Sequence, residues 1–195
     1  MKKLFISTLL ALSIISSTNA QETEFTFNNE RGMTDFVVTQ VEGKTSAEIY
    51  KKAIEWIKVT YKNPDKVILS TIENEYIRFE GSSNAIYSVT ILGAKTYYPT
   101  KYQIEITIKD GKYKFDLIAM ENLYPASQYS SGGWTANALF ISNLKKEFLD
   151  KTFYKKDGTP KPIFKDNMIN VPIYFNSLNK SLLEIITATV KKDDF

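Results

Sequence analysis

The sequence predicts an α+β fold: a curved antiparallel sheet of about five strands, with helices packed on one face. Three observations predict it. The stretch Lys101–Glu121, KYQIEITIKDGKYKFDLIAME, reads as two strands joined at Asp110-Gly111, a dipeptide suited to a two-residue hairpin turn. An amphipathic helix with a marked start lies upstream, near Thr45. Between the two run short alternating segments bounded by turn residues, the texture of a meander.

The first 20 residues, MKKLFISTLLALSIISSTNA, have a basic start at Lys2 and Lys3 and an apolar run over Leu4–Ile15. Thr18 and Ala20 stand three and one residues before a cut ahead of Gln21. This is the expectation of a secretory signal peptide, too short and wrongly flanked for a spanning helix. No cysteine follows the apolar run, so the lipid-anchored form of bacterial export is not expected, and no later stretch suits a membrane span. The product is then exported to the periplasm, cell surface or medium, as one α+β domain over residues 21–195.

Cysteine and histidine are both absent, which removes disulfides, the commonest metal ligand and the commonest general base. The hydrophobic content of 43% must hold the fold by burial. Without Lys2 and Lys3, 23 basic residues face 22 acidic ones. A charge near +1 gives no electrostatic case for nucleic acid or an anionic membrane.

Residues 21–34 are polar and weakly patterned, and a loose arm is expected. Asp35–Val41 (DFVVTQV) reads as a strand. Thr45 and Glu48 have the spacing of a capping box. The helix they open is predicted to about Lys62, with Ile49, Ala53, Trp56, Ile57 and Thr60 on its apolar stripe. Asn63-Pro64-Asp65 ends it. Val67–Ile72, Tyr76–Glu80 and Ile86–Leu92 read as strands, with a bulge or small loop at 81–84. GAKTYYPT (93–100) leads into the hairpin.

Paired outward from its turn, the hairpin sets Ile108 opposite Tyr113, Ile106 opposite Phe115, Ile104 opposite Leu117 and Tyr102 opposite Ala119. These form one apolar face; Gln103, Glu105, Thr107 and Lys109 lie on the other against Lys112, Lys114, Asp116 and Ile118. After Glu121, residues 122–133 read as a loop, Trp134–Lys151 as a helix, Thr152–Val171 as irregular, and Ser177–Lys191 as a last helix capped by Asn176 or Ser177.

VEGKTSAEIYKKAIEWI (41–57), VILSTIENEYIRFEG (67–81) and YQIEITIKDGKYKFDLIAMENL (102–123) together resemble a domain of unknown function with a TATA-binding-protein-like fold, found in exported proteins of Bacteroidetes-type bacteria. The resemblance covers residues 35–123 and leaves 124–195 as a helical extension. It implies the order β-α-β-β-β-β-α and a curved sheet with helices on one face. It implies no activity, and nothing in the fold's name implies DNA binding.

No catalytic residue, metal ligand or cofactor is assigned. Ser142–Lys145 and Ser177–Lys180 fit Ser-x-x-Lys, but the companion motifs of that chemistry are missing. Asn179-Lys180-Ser181 is a sequon inside a predicted helix. Glu105 and Asp116 face each other, as a carboxylate pair or as part of a solvated face offset by Arg78 and Lys114. The candidate binding residues are aromatic: Tyr97, Tyr98, Tyr124, Tyr129 and Trp134, set among Ser, Gly, Thr, Gln and Pro at the end of the sheet away from Asp110-Gly111. They form either a recognition surface for an envelope protein, peptide or glycan, or rings closing the end of the core. A non-catalytic binding module is the leading expectation. The alternatives are a carboxylate-dependent hydrolase and an assembly protein using a sheet edge such as Asp35–Val41.

Overall fold

The structure is a computed structural model that describes residues 22–140 and 145–188. The expected signal peptide, Ser142 of the first Ser-x-x-Lys and the residues past Ala188 lie outside them. Two short strands, β1 (Phe27–Asn28) and β2 (Gly32–Met33), precede β3 (Phe36–Gln40), α1 (Ser46–Thr60) and α2 (Pro64–Val67). Then come β4 (Ile68–Ile72), β5 (Tyr76–Ile91), β6 (Ala94–Lys109), β7 (Lys112–Tyr124) and β8 (Gly133–Ala136), followed by α3 (Lys146–Phe153) and α4 (Pro162–Thr187). The main sheet is antiparallel in the order β3-β7-β6-β5-β4, and β8 continues along the β7 edge that β3 leaves open.

The apolar face lies where alternation puts it. Tyr102, Ile104, Ile106, Ile108, Tyr113, Phe115 and Leu117 are buried, as are Ile77 and Phe79. Ile49, Ala53, Trp56 and Ile57 of α1 cover them, with Trp56 edge-on to Phe79 and Phe115. The Thr45–Glu48 capping box is present in full, so two otherwise orphan amides at the helix start are satisfied. Thr60 is exposed, leaving the stripe one residue short of its predicted length.

The register departs in one place. Ile104 faces Leu117, but Tyr102 faces Met120 rather than Ala119, because Ile118 is an extra residue that bulges β7. A bulge shifts every later residue of its strand by one, so Met120, Asn122 and Tyr124 share the inner face. A second irregularity falls between Ser83 and Tyr87, where a bulge or loop is expected. It joins two predicted strands into the single 16-residue β5. The tract 93–100 is likewise strand, the start of β6, turned back onto β5 at Leu92-Gly93.

Three further expectations are corrected. The arm before β3 is packed, with Phe25 only 1% exposed and edge-on to Phe115. Where the residues are described, the predicted helix over Trp134–Lys151 is β8, a turn at Asn137 and, from Lys146, α3, with 141–144 lying outside the described residues. Its apolar spacing coincided with helical period, but the uncovered edge of β7 takes Trp134 as a strand residue. The tract 152–171 is mostly helical: α3 reaches Phe153, and α4 starts at Pro162, a residue suited to the first helical position. Asn176 and Ser177 are therefore mid-helix and not caps.

Helix α4 buries Asn167, Met168, Val171, Pro172, Phe175, Asn179, Leu182 and Ile186 along one stripe. Its asparagines and Ser181 tie distant segments together. Asn167 accepts the Ser88 N–H at 3.0 Å and donates to the Ser88 carbonyl at 2.7 Å. Asn176 makes the same pair with Phe25 at 2.7 and 3.0 Å. Asn179 accepts from the Tyr113 hydroxyl at 2.9 Å, and Ser181 accepts from the Trp56 indole at 2.8 Å. The sequon asparagine is thus a core residue. Among the described residues no helix is long and apolar enough to cross a membrane.

Candidate functional site

The helix-free face of the sheet carries Tyr76, Arg78 and Glu80 from β5 against Thr107, Glu105 and Gln103 from β6. Glu105 and Asp116 stand opposite each other, but each is held by its own neighbours. The Tyr76 hydroxyl donates to Glu105 at 2.6 Å, Arg78 stands 4.0 Å away, and Lys114 donates to Asp116 at 2.5 Å. Burial and then the Glu105 contact push the Tyr76 phenol up to about 12. Arg78 also donates to Gln103, which donates to Glu80. The face is a lattice of charge and amide in which Glu105, Asp116 and Glu80 each have a partner, while among the described residues the buried Arg78 Nε has none. Among the described residues, no group of three or more Asp or Glu is placed to hold a metal ion. The Ser177 hydroxyl donates to the Ile173 carbonyl at 2.9 Å.

The five aromatic residues sit at the opposite end of the sheet from Asp110-Gly111, on strands and one loop. Alternation along β6 splits the adjacent tyrosines between faces. Tyr98 faces inward with Tyr87 of β5 and Tyr124 of β7, its ring 6.4 Å from the first and 4.9 Å from the second. Tyr87 is buried, 4% exposed. Burial raises the pKa of the Tyr87 and Tyr124 phenols, so they stay protonated. Below them Thr100, Asn122 and Asn137 form a buried chain: Asn122 donates to Thr100 at 2.8 Å, Asn137 donates to Asn122, and Asn137 accepts the Leu139 N–H at 2.8 Å.

Tyr97 and Trp134 lie on the outer face, 51% and 43% exposed. Pro99 and Lys101 share that face by alternation, as do Leu123, the cross-strand partner of Trp134, and Glu121, the partner of Lys101. Lys101 stands 4.9 Å over the Trp134 ring and pairs with Glu121 at 2.8 Å. Lys95 stands 5.4 Å over the Tyr97 ring and pairs with Asp166 at 3.3 Å. The result is an apolar strip with a charged rim, backed through the sheet by the inner tyrosines. Tyr129, 89% exposed, sits in the loop between β7 and β8.

Sequence reasoning missed Tyr87, Pro99, Lys101 and Leu123 as members of this end. Continued alternation of β6 through 93–100 would have found Pro99 and Lys101. The pair Lys101–Glu121 was hidden by the bulge at Ile118, which an unshifted register cannot show.

No curated protein matches this chain. A solved structure of a DUF4468 family protein from Bacteroides ovatus superposes with a TM-score of 0.56 at 17% identity, over 83% of this chain and 90% of that one. A TBP-like protein from Parabacteroides distasonis gives a TM-score of 0.49 at 13% identity, over 77% and 90%. The first likeness shows the fold, and it extends well past β7. The family described as a domain of unknown function (DUF4468) with TBP-like fold matches residues 36–122, from the start of β3 to near the end of β7. That stretch is what this chain shares with the family.

Proposed function

We propose that this chain is an exported, non-catalytic binding module of the bacterial periplasm or cell surface, taking a glycan or peptide on the aromatic end of its sheet. One observation carries the reading: Tyr97 and Trp134 stand exposed on the same face, with Pro99 and Leu123 sharing it and Lys95, Lys101 and Glu121 as polar neighbours. Exposed aromatic rings bind through their apolar faces, and bordering polar groups set the orientation of the ligand. The inner rings Tyr98 and Tyr124 support the surface, and Tyr129 reaches solvent beside it. A hydrolase is not favoured, since Glu105 and Asp116 are engaged by Tyr76, Arg78 and Lys114.

The test is Tyr97→Ala and Trp134→Ala, measured for melting temperature and for binding to arrays of envelope glycans and peptides. Binding lost at unchanged stability supports the surface. Wild-type protein that binds nothing on either array overturns it. A second reading, strand addition at a sheet edge, moves from Asp35–Val41 to β4. The Val38 N–H is already taken by the Glu22 carbonyl at 3.0 Å, whereas β4 ends the sheet with Leu69 and Ile72 exposed.

A further inference from the structure

The segment joining α3 to α4 gathers positive charge. A hollow of about 640 Å³ lies there, lined by Lys151, Lys155, Lys156 and Lys161 together with Asn29 and Tyr154. Its one acid, Asp150, pairs with Lys146 at 3.8 Å. The nearby Asp157 is turned onto Thr159, accepting its N–H at 2.9 Å and its hydroxyl at 2.7 Å. Among the described residues no carboxylate pairs with Lys151, Lys155 or Lys156.

The frame around these lysines is ordered. The Lys155 N–H donates to the Thr159 carbonyl at 2.8 Å, Gly158 N–H to Lys155 at 3.0 Å, and Lys161 N–H to Phe153 at 2.8 Å. The Lys161 ammonium donates to the Lys151 carbonyl at 2.7 Å. Phe153 is fully buried between the rings of Phe27 and Phe164, 5.5 and 4.9 Å away. Four lysines lining one hollow add like charge in one place. In a chain whose charges elsewhere nearly balance, such a cluster calls for an outside counter-charge.

We propose that this hollow binds a small polyanion, a ligand carrying two or more phosphate or carboxylate groups. Ammonium, phenol and amide groups supply hydrogen-bond donors, which suits an acceptor-only ligand. The volume falls in the range of small-molecule sites, roughly 300–1,000 Å³. The site shares no residue with the aromatic strip.

The experiment titrates the full chain with sodium pyrophosphate in one arm and citrate in the other, in about 0.15 M NaCl, following backbone amide shifts by NMR. Saturable shifts confined to Asn29 and 150–161 are expected. They should weaken by about tenfold in the Lys155→Ala/Lys156→Ala variant, at unchanged melting temperature. The control pair Lys112→Ala/Lys114→Ala should leave them intact. Saturation by one arm alone assigns the ligand's anionic group. Should the double variant fail to fold, Lys156→Gln gives the same comparison. No saturable shift in either arm, shifts scattered over lysines at large, or binding indifferent to Lys155 and Lys156 would overturn the proposal.

Discussion

The Asp110 carboxylate accepts the backbone N–H of Ser46 at 2.7 Å, so the tip of the β6–β7 hairpin caps the first turn of α1. The Gly111 N–H donates to the Lys44 carbonyl at 2.8 Å, and the Gly111 carbonyl accepts from Val41, also at 2.8 Å. The turn that sets the hairpin register thereby sets the entry point of the helix that covers it. Replacing Asp110 by Ala should lower stability by about 1 kcal/mol in urea unfolding, with Asn recovering part of the loss.

The same helix start gives a pH signature. The Thr45 backbone N–H, and then its hydroxyl, hold the Glu48 carboxyl below its ordinary value of 4.5. A carboxyl with a depressed folded pKa stabilises above its unfolded value, and that contribution is lost as pH falls through the folded one. Stability followed from pH 6 to pH 3 should drop less steeply in Glu48→Gln than in wild type.

Gly81 is fixed by what lies over it. A Cβ there would stand 2.5 Å from the ring and hydroxyl of Tyr102, its cross-strand partner. That hydroxyl is itself held 3.0 Å from those of both Tyr61 and Tyr174. Gly81→Ala should cost about 1–3 kcal/mol, and Tyr102→Phe in the same chain should not restore it, because the ring remains.

Asn167 should be the costliest asparagine to lose. With Asn167→Ala the buried N–H and carbonyl of Ser88 both lose their partner, a loss of about 2–4 kcal/mol for two unsatisfied groups. Phe115→Ala, at the centre of the covered face, should cost about 3–5 kcal/mol.

The aromatic end predicts a split among neighbours. Tyr98→Ala and Tyr124→Ala remove packed rings and should lower the melting temperature, whereas Tyr97→Ala and Trp134→Ala should change stability by no more than about 0.5 kcal/mol. Circular-dichroism melts of the four variants decide this directly.

The fold's centre was legible because three local signals agreed there. Asp110-Gly111 marked the turn, alternation marked the covered face, and the Thr45–Glu48 spacing marked the helix start. What sequence could not show has physical causes. The bulge at Ile118 leaves no mark in an apolar strand. Trp134 fell on a helical spacing that the edge of β7 overrode. In α4, Asn167 and Asn179 occupy the stripe and Pro172 interrupts it, so the apolar period reads as broken although all three are buried. That the five aromatic residues gather at one end of the sheet was legible. The division of Tyr97 from Tyr98 was not, because it required β6 to run unbroken from Ala94.

The contacts of α4 also set when this chain can become native. Asn176 grips Phe25 across 151 residues, and Asn179 grips Thr39 across 140. Contacts so distant along the chain carry a large loop-closure entropy and slow folding. Until α4 docks, Phe25, Trp56 and Tyr102 lack the partners that complete their burial. A nascent chain should therefore stay open until α4 has left the ribosome and docked.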